Sequence, residues 1–414
     1  MNSSLSRAMR ARITVVLCLS VALLEGIDVQ SVGITGPRIA QEFSLSVAQL
    51  GWALSAGAIG LMPGALIGGR LADLLGRKSV LITSVVLFGL FSLATAHVWD
   101  FGSLLVARIL TGLGLGAAMP ILLALCSEAA APDRRTAAVG AMYCGMPLGA
   151  AIGALIGVLA NGPGQWRMVF YVGGFGPIAV ALLLAFLLTE STQFESSRTV
   201  APDAKVGFVE ALWRDGRALM TSALWTSCLG TVIVLYFLMN WLPSMMIGRG
   251  LSLEQSGLVL MAFHIGAGSG SLGISNLMDR MGRNRTVIFM YAGMVLALAT
   301  LAMATGALQT IAGGFLCGVF LGGVQSVLFA LAGQVYPTHV RGTGIGAAVA
   351  VGRLGSILGP LIAGLLFSAG SSASMLVVSS IPVVIVAALG LLIVTGHLNR
   401  NAAAAGEDRI PASA

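Results

Sequence analysis

Two carboxylates lie inside a long apolar stretch near the start of the chain, where ionised groups are costly. Glu25 and Asp28 are three residues apart, so on a helix they share one face. Two ionised carboxylates this close repel each other, and the repulsion favours the protonated form of at least one of them. The pair is therefore a candidate site for taking up and releasing protons. The alternative is that one acid pairs with an arginine and only holds neighbouring helices together.

Arg108 also occurs within an apolar stretch, at a depth similar to that of Asp28. With a rise of about 1.5 Å per residue, Asp28 lies roughly 22 Å from one face of a membrane and Arg108 roughly 10 Å from the other, in a core about 30 Å thick. An ion pair between them would let the arginine control when the aspartate accepts a proton. A fixed structural ion pair is the alternative.

Arg353 is predicted to lie roughly 16 Å deep, near the middle of its own apolar stretch. A planar guanidinium binds a carboxylate through two parallel hydrogen bonds, so we expect Arg353 to bind a substrate carboxylate, with an internal ion pair as the alternative. His264, Tyr236, Asn240 and Gln325 are candidates to line the same cavity. His264 is a candidate partner for a substrate hydroxyl, and a neutral histidine packed between helices is the alternative.

The elements that must position these residues are membrane-spanning helices. Of the 414 residues, 57% are hydrophobic and only 9% are charged, against about a quarter charged in ordinary soluble domains. Many apolar stretches approach the roughly 20 residues that cross a bilayer as a helix, and they lack the alternation that barrel strands require. We predict twelve spans, at approximately residues 13–34, 47–70, 79–98, 101–122, 137–160, 168–189, 219–241, 253–274, 286–303, 308–332, 342–367 and 373–396.

The distribution of positive charge predicts the orientation of these spans. Lysines and arginines are enriched on the cytoplasmic side of membrane proteins. Of the 23 in the chain, 18 fall on the side of the two termini, and Arg108 and Arg353 lie within predicted spans. Only Arg38, Arg167 and Arg249 fall on the other side. We therefore predict a multi-pass membrane protein with both termini in the cytoplasm. The net charge of +7 reflects this bias and indicates no nucleic-acid partner.

The longest polar stretch lies in the middle of the chain and mixes both signs of charge, which is typical of a linker. A signal peptide is the alternative for the first span, but that span contains Glu25 and Asp28 and lacks a clean cleavage site, so we expect it to be retained. The predicted parts are a cytoplasmic tail at 1–12, a six-helix bundle at 13–189, a cytoplasmic linker at 190–218, a second six-helix bundle at 219–397 and a cytoplasmic tail at 398–414.

The two predicted bundles are copies of each other in sequence. A shift of 206 residues places 73–77 on 279–283 and Arg135 on Arg341, and it brings four glycines of the first half onto four of the second. Because each half has an even number of spans, the copies point the same way through the membrane. The expected fold is an all-α membrane protein of twelve transmembrane helices in two parallel-repeat six-helix bundles.

These motifs resemble those of the major facilitator superfamily, whose two halves are parallel repeats. Gly69–Lys78 is similar to the superfamily signature between helices 2 and 3, and in its second copy Ser275 replaces the first glycine. Arg108–Gly116 resembles the superfamily's helix 4 motif. Glu25–Asp28 resembles the helix 1 signature of the aromatic-acid:proton symporter family, and Arg353 resembles that family's helix 11 arginine. Within that family the chain resembles the bacterial 3-(3-hydroxyphenyl)propionate transporters, and this resemblance implies a location in the bacterial inner membrane.

The resemblance also implies a conformational gate at the cytoplasmic ends of the helices. In such a gate an aspartate meets nearby arginines and a helix N-terminus, which attracts anions. This role is conformational and says nothing about the substrate. The residues expected to form the gate are Asp73, Arg77, Glu128, Arg135, Asp279 and Arg283.

Other patterns in the sequence do not indicate a cofactor or a metal. Gly268–Gly273 fits GxGxxG, but a dinucleotide site needs a preceding strand, and within an apolar helix small residues favour close helix packing. The five cysteines form no CxxC pair, so we expect neither a disulfide framework nor a metal site.

The resemblance implies a proton-coupled secondary transporter that imports an aromatic carboxylate by alternating access. The expected substrate is 3-(3-hydroxyphenyl)propionate or a related phenylpropionate or hydroxybenzoate, and the expected partners are that substrate, protons and the lipid bilayer. We expect a monomer. One alternative is a multidrug exporter that works as a proton antiporter, but its helix 5 signature is only partly matched by residues 144–149, and a buried arginine favours an anion. A receptor or enzyme is the other alternative, and no nucleophile–base arrangement in the sequence supports an enzyme.

Overall fold

The structure is a computed structural model of the chain. It describes the backbone at residues 7–130, 135–160, 162, 164–190, 212–213, 217–336 and 341–407. Regular structure in these ranges is entirely helical, and no strand occurs in them. Most of the linker predicted at 190–218 lies outside the described residues.

The described residues form thirteen helices, which follow one another with short connections except between α7 and α8. Their bounds are α1 Arg7–Glu42, α2 Val47–Leu75, α3 Arg77–Ala96, α4 Phe101–Ala129, α5 Arg135–Tyr143, α6 Gly145–Leu159, α7 Arg167–Leu187, α8 Ala218–Gly248, α9 Leu253–Met281, α10 Arg283–Met303, α11 Ala307–Val335, α12 Arg341–Ser368 and α13 Ala373–Glu407.

The predicted all-helical membrane fold with twelve spans is confirmed, with one span interrupted. Helices α5 and α6 together cover the predicted fifth span, and the helix breaks at Cys144. Pro147 has no N–H to bond the carbonyl of Tyr143, which explains a break at this point. Within the described residues, eleven helical stretches are long and apolar enough to cross a membrane.

The eighth predicted span is present as α9, but it is not among those eleven stretches. The count includes only described residues, and the side chains at 274–276 within this helix lie outside them. The preceding turns of α9 are rich in small residues, including the run Gly268–Gly273. These residues serve close packing: a side chain added at Gly266 or Gly270 would meet the backbone of α11. Small residues therefore allow α9 and α11 to approach each other closely.

The sequence repeat is reproduced in the helix packing. Glycines of α2 and α4 allow those two helices to touch backbone to backbone, and the glycines 206 residues later do the same for α9 and α11. The pairs α1 with α6 and α8 with α12 correspond in the same way. The equivalent close approaches are Gly60 on Ile109 and Gly266 on Phe315, Gly116 on Leu61 and Gly322 on Ala267, and Gly149 on Leu23 and Gly355 on Leu229.

Two equivalent turns also share one backbone conformation. Gly76 joins α2 to α3 with φ 99°, and Gly282 joins α9 to α10 with φ 77°. A residue with a β-carbon rarely adopts a positive φ of this size, so glycine is required at both turns. Each of these single-residue connections reverses the direction of the chain between two consecutive helices.

The chain divides into two compact units. Unit 1 contains residues 1–201, 238–265 and 360–373, and unit 2 contains residues 202–237, 266–359 and 374–414. Unit 1 therefore combines helices α1 to α7 with the last part of α8, the first part of α9 and the last part of α12. These added parts lie at the end of unit 1 where α1 ends and α2 begins, which we call the far end.

Candidate functional site

Asp28 and Arg108 form a buried ion pair between α1 and α4 in unit 1. Arg108 Nη1 lies 2.8 Å from Asp28 Oδ1, and Arg108 Nη2 donates a hydrogen bond of 3.1 Å to the backbone carbonyl of Asp28. Both residues are buried. Asp28 Oδ2 accepts no hydrogen bond from any residue that the structure describes. The ion pair therefore occupies one carboxylate oxygen and leaves the other available to a proton.

An aromatic ring, a serine hydroxyl and a glycine fit closely around this pair. The guanidinium carbon of Arg108 lies 5.8 Å from the centroid of the Phe170 ring, in cation–π geometry. A β-carbon at Gly173 would lie 3.2 Å from Asp28 Oδ2 and 2.9 Å from Ser92 Oγ, so glycine makes room for the free oxygen. Sequence reasoning missed Gly173, because one glycine in an apolar helix carries no signal of what it faces.

Glu25 is fully buried one turn before Asp28. Gly26, between the two acids, lies against the backbone of α6 at Met146, where no side chain would fit. This close approach fixes the rotation of α1 about its own axis. It therefore sets the direction in which the acidic face of α1 points.

The five candidates for substrate binding are divided between the two units. Asn240 and His264 lie in unit 1, and both are buried. His264 Nε2 has no hydrogen-bond partner among the described residues, and its ring lies 5.4 Å from that of Phe263 in an edge-on contact. The histidine is therefore packed between apolar groups with one ring nitrogen unused.

Unit 2 holds the other three candidates, Tyr236, Gln325 and Arg353, all of them half-buried. Arg353 lies on α12 at a point where that helix packs closely on α8, since a side chain added at Gly355 would meet the backbone at Leu229. The roles of these three residues and of the two in unit 1 stay predictions.

The residues of the first half that are predicted to form the gate lie at the end of unit 1 opposite the far end. Arg77 forms an ion pair with Glu128. The side chains of Asp73 and Arg135 lie outside the described residues. Glu190, which follows α7, accepts hydrogen bonds from the backbone N–H groups of Arg77 at 2.9 Å and Lys78 at 3.1 Å. A carboxylate thus caps the N-terminus of α3, where negative charge is favourable.

At the equivalent position in the second half, an amide contacts the side chains of the first two residues of α10. Arg283 donates to Asn399 Oδ1 at 3.3 Å, and Asn399 Nδ2 donates to Asn284 Oδ1 at 3.1 Å. The side chain of Asp279 lies outside the described residues. Sequence reasoning missed both Glu190 and Asn399, because each lies far along the chain from the helix start that it contacts.

Two of the arginines predicted to lie on the membrane side opposite the two termini make contacts at the far end. Arg38 donates to backbone carbonyls at the C-terminal end of α6, where a cation is favourable. Arg167 Nη2 lies 2.6 Å from Glu42 Oε1, and its guanidinium carbon lies 4.3 Å from the centroid of the Trp166 ring. Trp166 Nε1 also donates to Glu42, at 2.6 Å. These contacts join the last turn of α1 to α6 and α7.

Comparison with known families gives one match over almost the whole chain. The family model described as Major Facilitator Superfamily matches residues 18–348 and 250–414. A 3-(3-hydroxy-phenyl)propionate transporter of Escherichia coli strain K12 is 44% identical over 96% of this chain and 97% of its own length. The 4-hydroxybenzoate transporter PcaK of Pseudomonas putida is 32% identical over 83% of this chain and 84% of its own.

Solved structures show the same fold at low sequence identity. The xylose transporter XylE from Escherichia coli, in a partially occluded inward open conformation, matches with a TM-score of 0.75 and 16% identity over 92% of this chain and 96% of its own. A bacterial homologue of the human lysosomal transporter Spinster matches with a TM-score of 0.72 and 16% identity over 94% and 98% of the two chains.

Proposed function

The chain belongs to the major facilitator superfamily, and from that premise we propose that it imports an aromatic carboxylate together with protons by alternating access. The observation that carries the proposal is the 44% identity to a 3-(3-hydroxy-phenyl)propionate transporter over 96% of the chain. Relatives named for 4-hydroxybenzoate and gallate also match more than four fifths of the chain. A phenylpropionate or hydroxybenzoate is therefore the proposed substrate. The chain is a multi-pass membrane transporter rather than an enzyme.

Proton coupling supplies a physical reason for the buried acids. An aromatic carboxylate is repelled by a cell interior that is electrically negative, and one bound proton neutralises its charge. With a second proton, the membrane potential assists entry by about 2.3 kcal/mol per 100 mV for each net charge moved. We propose Asp28 as the proton carrier, with Glu25 as the second acid and Arg108 as the group that competes with the proton. The free Oδ2 of Asp28 supports this assignment.

Substrate binding is proposed for Arg353, which would hold the carboxylate through its two-pronged guanidinium. His264, Tyr236, Asn240 and Gln325 are the proposed polar groups around the ring. Asp73, Arg77, Glu128 and their repeat counterparts are the proposed gate. The Arg77–Glu128 ion pair and the Glu190 cap of α3 support a locked arrangement at that end of unit 1.

The proposed orientation has both termini in the cytoplasm of a bacterial cell, with the far end of unit 1 on the outer side of the inner membrane. The charge bias of the loops supports it. The proposed architecture is two six-helix bundles at 13–189 and 219–397, supported by the equivalent glycine contacts in the two halves. A monomer is proposed as the functional state.

Transport by purified protein in proteoliposomes tests the function. Radiolabelled 3-(3-hydroxyphenyl)propionate, benzoate and a cationic dye are offered with and without an imposed pH gradient, acid outside. We expect the phenylpropionate to accumulate only when the gradient is present. Extrusion of the dye in exchange for protons, without uptake of either acid, would favour a multidrug exporter instead.

A further inference from the structure

A proline in α8 leaves one backbone carbonyl without its helical partner. In an α-helix the carbonyl of residue 239 bonds the N–H of residue 243, but residue 243 is Pro243 and has no N–H. The carbonyl of Met239 must therefore find a donor elsewhere or remain unsatisfied. Within a membrane protein an unsatisfied carbonyl is costly, because no water is available to pair with it.

Gln30 of α1 supplies that donor. Its side chain is fully buried, and its Nε2 donates to the carbonyl of Met239. The orientation of the amide is determined by this contact, because only the NH₂ end can face a carbonyl. Both residues belong to unit 1, so the bond joins α1 to the part of α8 that packs at the far end.

The backbones of α1 and α8 come very close at the same point. A β-carbon at Gly33, one turn after Gln30, would meet the carbonyl of Met239 and would lie 3.2 Å from the Cα atom of Asn240. The amide of Gln30 therefore bonds α8 where the two helices touch. Asn240, a proposed substrate-binding residue, directly follows the bonded carbonyl, so the bond also fixes the turn of α8 that carries it.

Further contacts within unit 1 hold the helices together from this point toward the far end, and we call this line of contacts the seam. Trp241 Nε1 donates to the carbonyl of Pro360 in α12 at 3.0 Å, and Gly51 of α2 packs against that carbonyl too. Beyond Gln30, Ile34 of α1 shares a small cavity with Pro243 and with Ser256 of α9. Ser256 is fully buried there, so its accessibility reports whether the seam is shut.

We propose that the Gln30–Met239 bond is a latch that closes the outer side of the transporter and positions Asn240. The inference rests on the proposed function and orientation. When α1 and α8 separate at this end, water reaches the Met239 carbonyl and the Gln30 amide, so the bond contributes only to the closed state. A contact that exists in one of two states shifts the population toward that state. Pro243 creates the need for an outside donor, because it leaves the Met239 carbonyl without a hydrogen-bond partner in its own helix.

A double-mutant cycle in intact cells tests the latch. The reporter is a cysteine introduced as Ser256→Cys and labelled with a membrane-impermeant maleimide. Labelling of the native chain, which lacks this cysteine, gives the background. We expect Gln30→Leu to raise the labelling rate at position 256. In a Pro243→Ala background the new N–H at position 243 bonds the Met239 carbonyl, so Gln30→Leu should matter less. The expected difference between the two backgrounds is about tenfold, as for one buried hydrogen bond.

Two controls keep the outcome unambiguous. Gln41→Leu makes the same substitution on an exposed face of α1 and should leave labelling unchanged. Trp99→Cys, in the exposed turn between α3 and α4, should be labelled equally in every variant that is inserted and folded. If Gln30→Leu changes labelling equally in both backgrounds while Trp99→Cys reacts from outside, the latch is wrong and the orientation stands. If Trp99→Cys reacts only from the cytoplasmic side, the orientation and the outer latch are both wrong.

Discussion

Arg108 bonds Asp28 twice, once at the side chain and once at the backbone. Its Nη1 lies 2.8 Å from Oδ1 and its Nη2 lies 3.1 Å from the carbonyl oxygen of the same residue. The second bond anchors the guanidinium to α1 itself, so Arg108 can stay on the helix even when the carboxylate is protonated. In the proposed coupling, a proton on Oδ2 would weaken the ion pair while the bond to the backbone carbonyl holds the arginine in place.

The first prediction concerns the carboxylate of Asp28. Asp28→Asn should abolish proton-driven accumulation of substrate, because an amide does not titrate, while the shape of the side chain is nearly unchanged. Exchange of substrate between two equal pools should survive, since it needs no net release of protons. The measurement is uptake against a concentration gradient, with and without an imposed pH gradient.

Glu25→Gln is the matched variant for Asp28→Asn, because it removes the neighbouring acid on the same face of α1. It should reduce the dependence of uptake on the pH gradient less than Asp28→Asn does. If the Asp28→Asn protein still concentrates substrate in response to the gradient, Asp28 is not the proton carrier, and Glu25 becomes the candidate.

The second prediction concerns the space beside Asp28 Oδ2. Gly173→Ala should lower proton-driven uptake several-fold, because the new methyl group would press on Oδ2 and on Ser92 Oγ. Ser92→Ala in the same protein removes the closer of the two contacts and should restore part of the uptake. Gly140→Ala is the matched control, since a β-carbon there would meet nothing within 4 Å. Equal uptake by the Gly173→Ala and Gly140→Ala proteins would show that the fit around Oδ2 is unimportant.

The third prediction concerns the proposed substrate arginine. Arg353→Lys should weaken substrate binding by about tenfold or more, because lysine keeps the charge but loses the two-pronged geometry of the guanidinium. Binding to purified protein is measured by calorimetry or by competition with labelled substrate. Arg285→Lys, at an exposed position on α10, is the matched control and should bind as the native chain does. Unchanged affinity in Arg353→Lys would remove this residue from the site.

The fourth prediction concerns the gate. Asp73→Asn should slow transport while leaving substrate affinity unchanged, because its predicted position is far from the middle of the membrane. Asp100→Asn is a matched control in the turn between α3 and α4, where Asp100 Oδ1 accepts from the backbone N–H of Ser103 at 2.8 Å. Asparagine caps a helix N-terminus as well as aspartate does, so this control should transport normally. A many-fold loss of affinity in Asp73→Asn would contradict a purely conformational role.

The sequence by itself determined the number of spans, the repeat and the common level of Asp28 and Arg108. Apolar length fixes which segments are helices that cross a membrane, because an unpaired backbone is excluded there. The shift of 206 residues predicted equivalent glycines, and the packing of α2 on α4 and of α9 on α11 follows that register. Depth alone placed Asp28 and Arg108 at one level, since rise per residue is constant along a helix.

Tertiary structure alone decided which atoms meet. Apolar helix sequences do not specify how each helix is rotated toward its neighbours, so the free oxygen of Asp28 and the glycine that faces it were not predictable. Glu190 and the start of α3 are more than 100 residues apart, and no local pattern links a carboxylate to a helix start at that separation. The bond from Gln30 to the carbonyl exposed by Pro243 is of the same kind, because a proline predicts an orphaned carbonyl but only the packing of α1 on α8 supplies its donor.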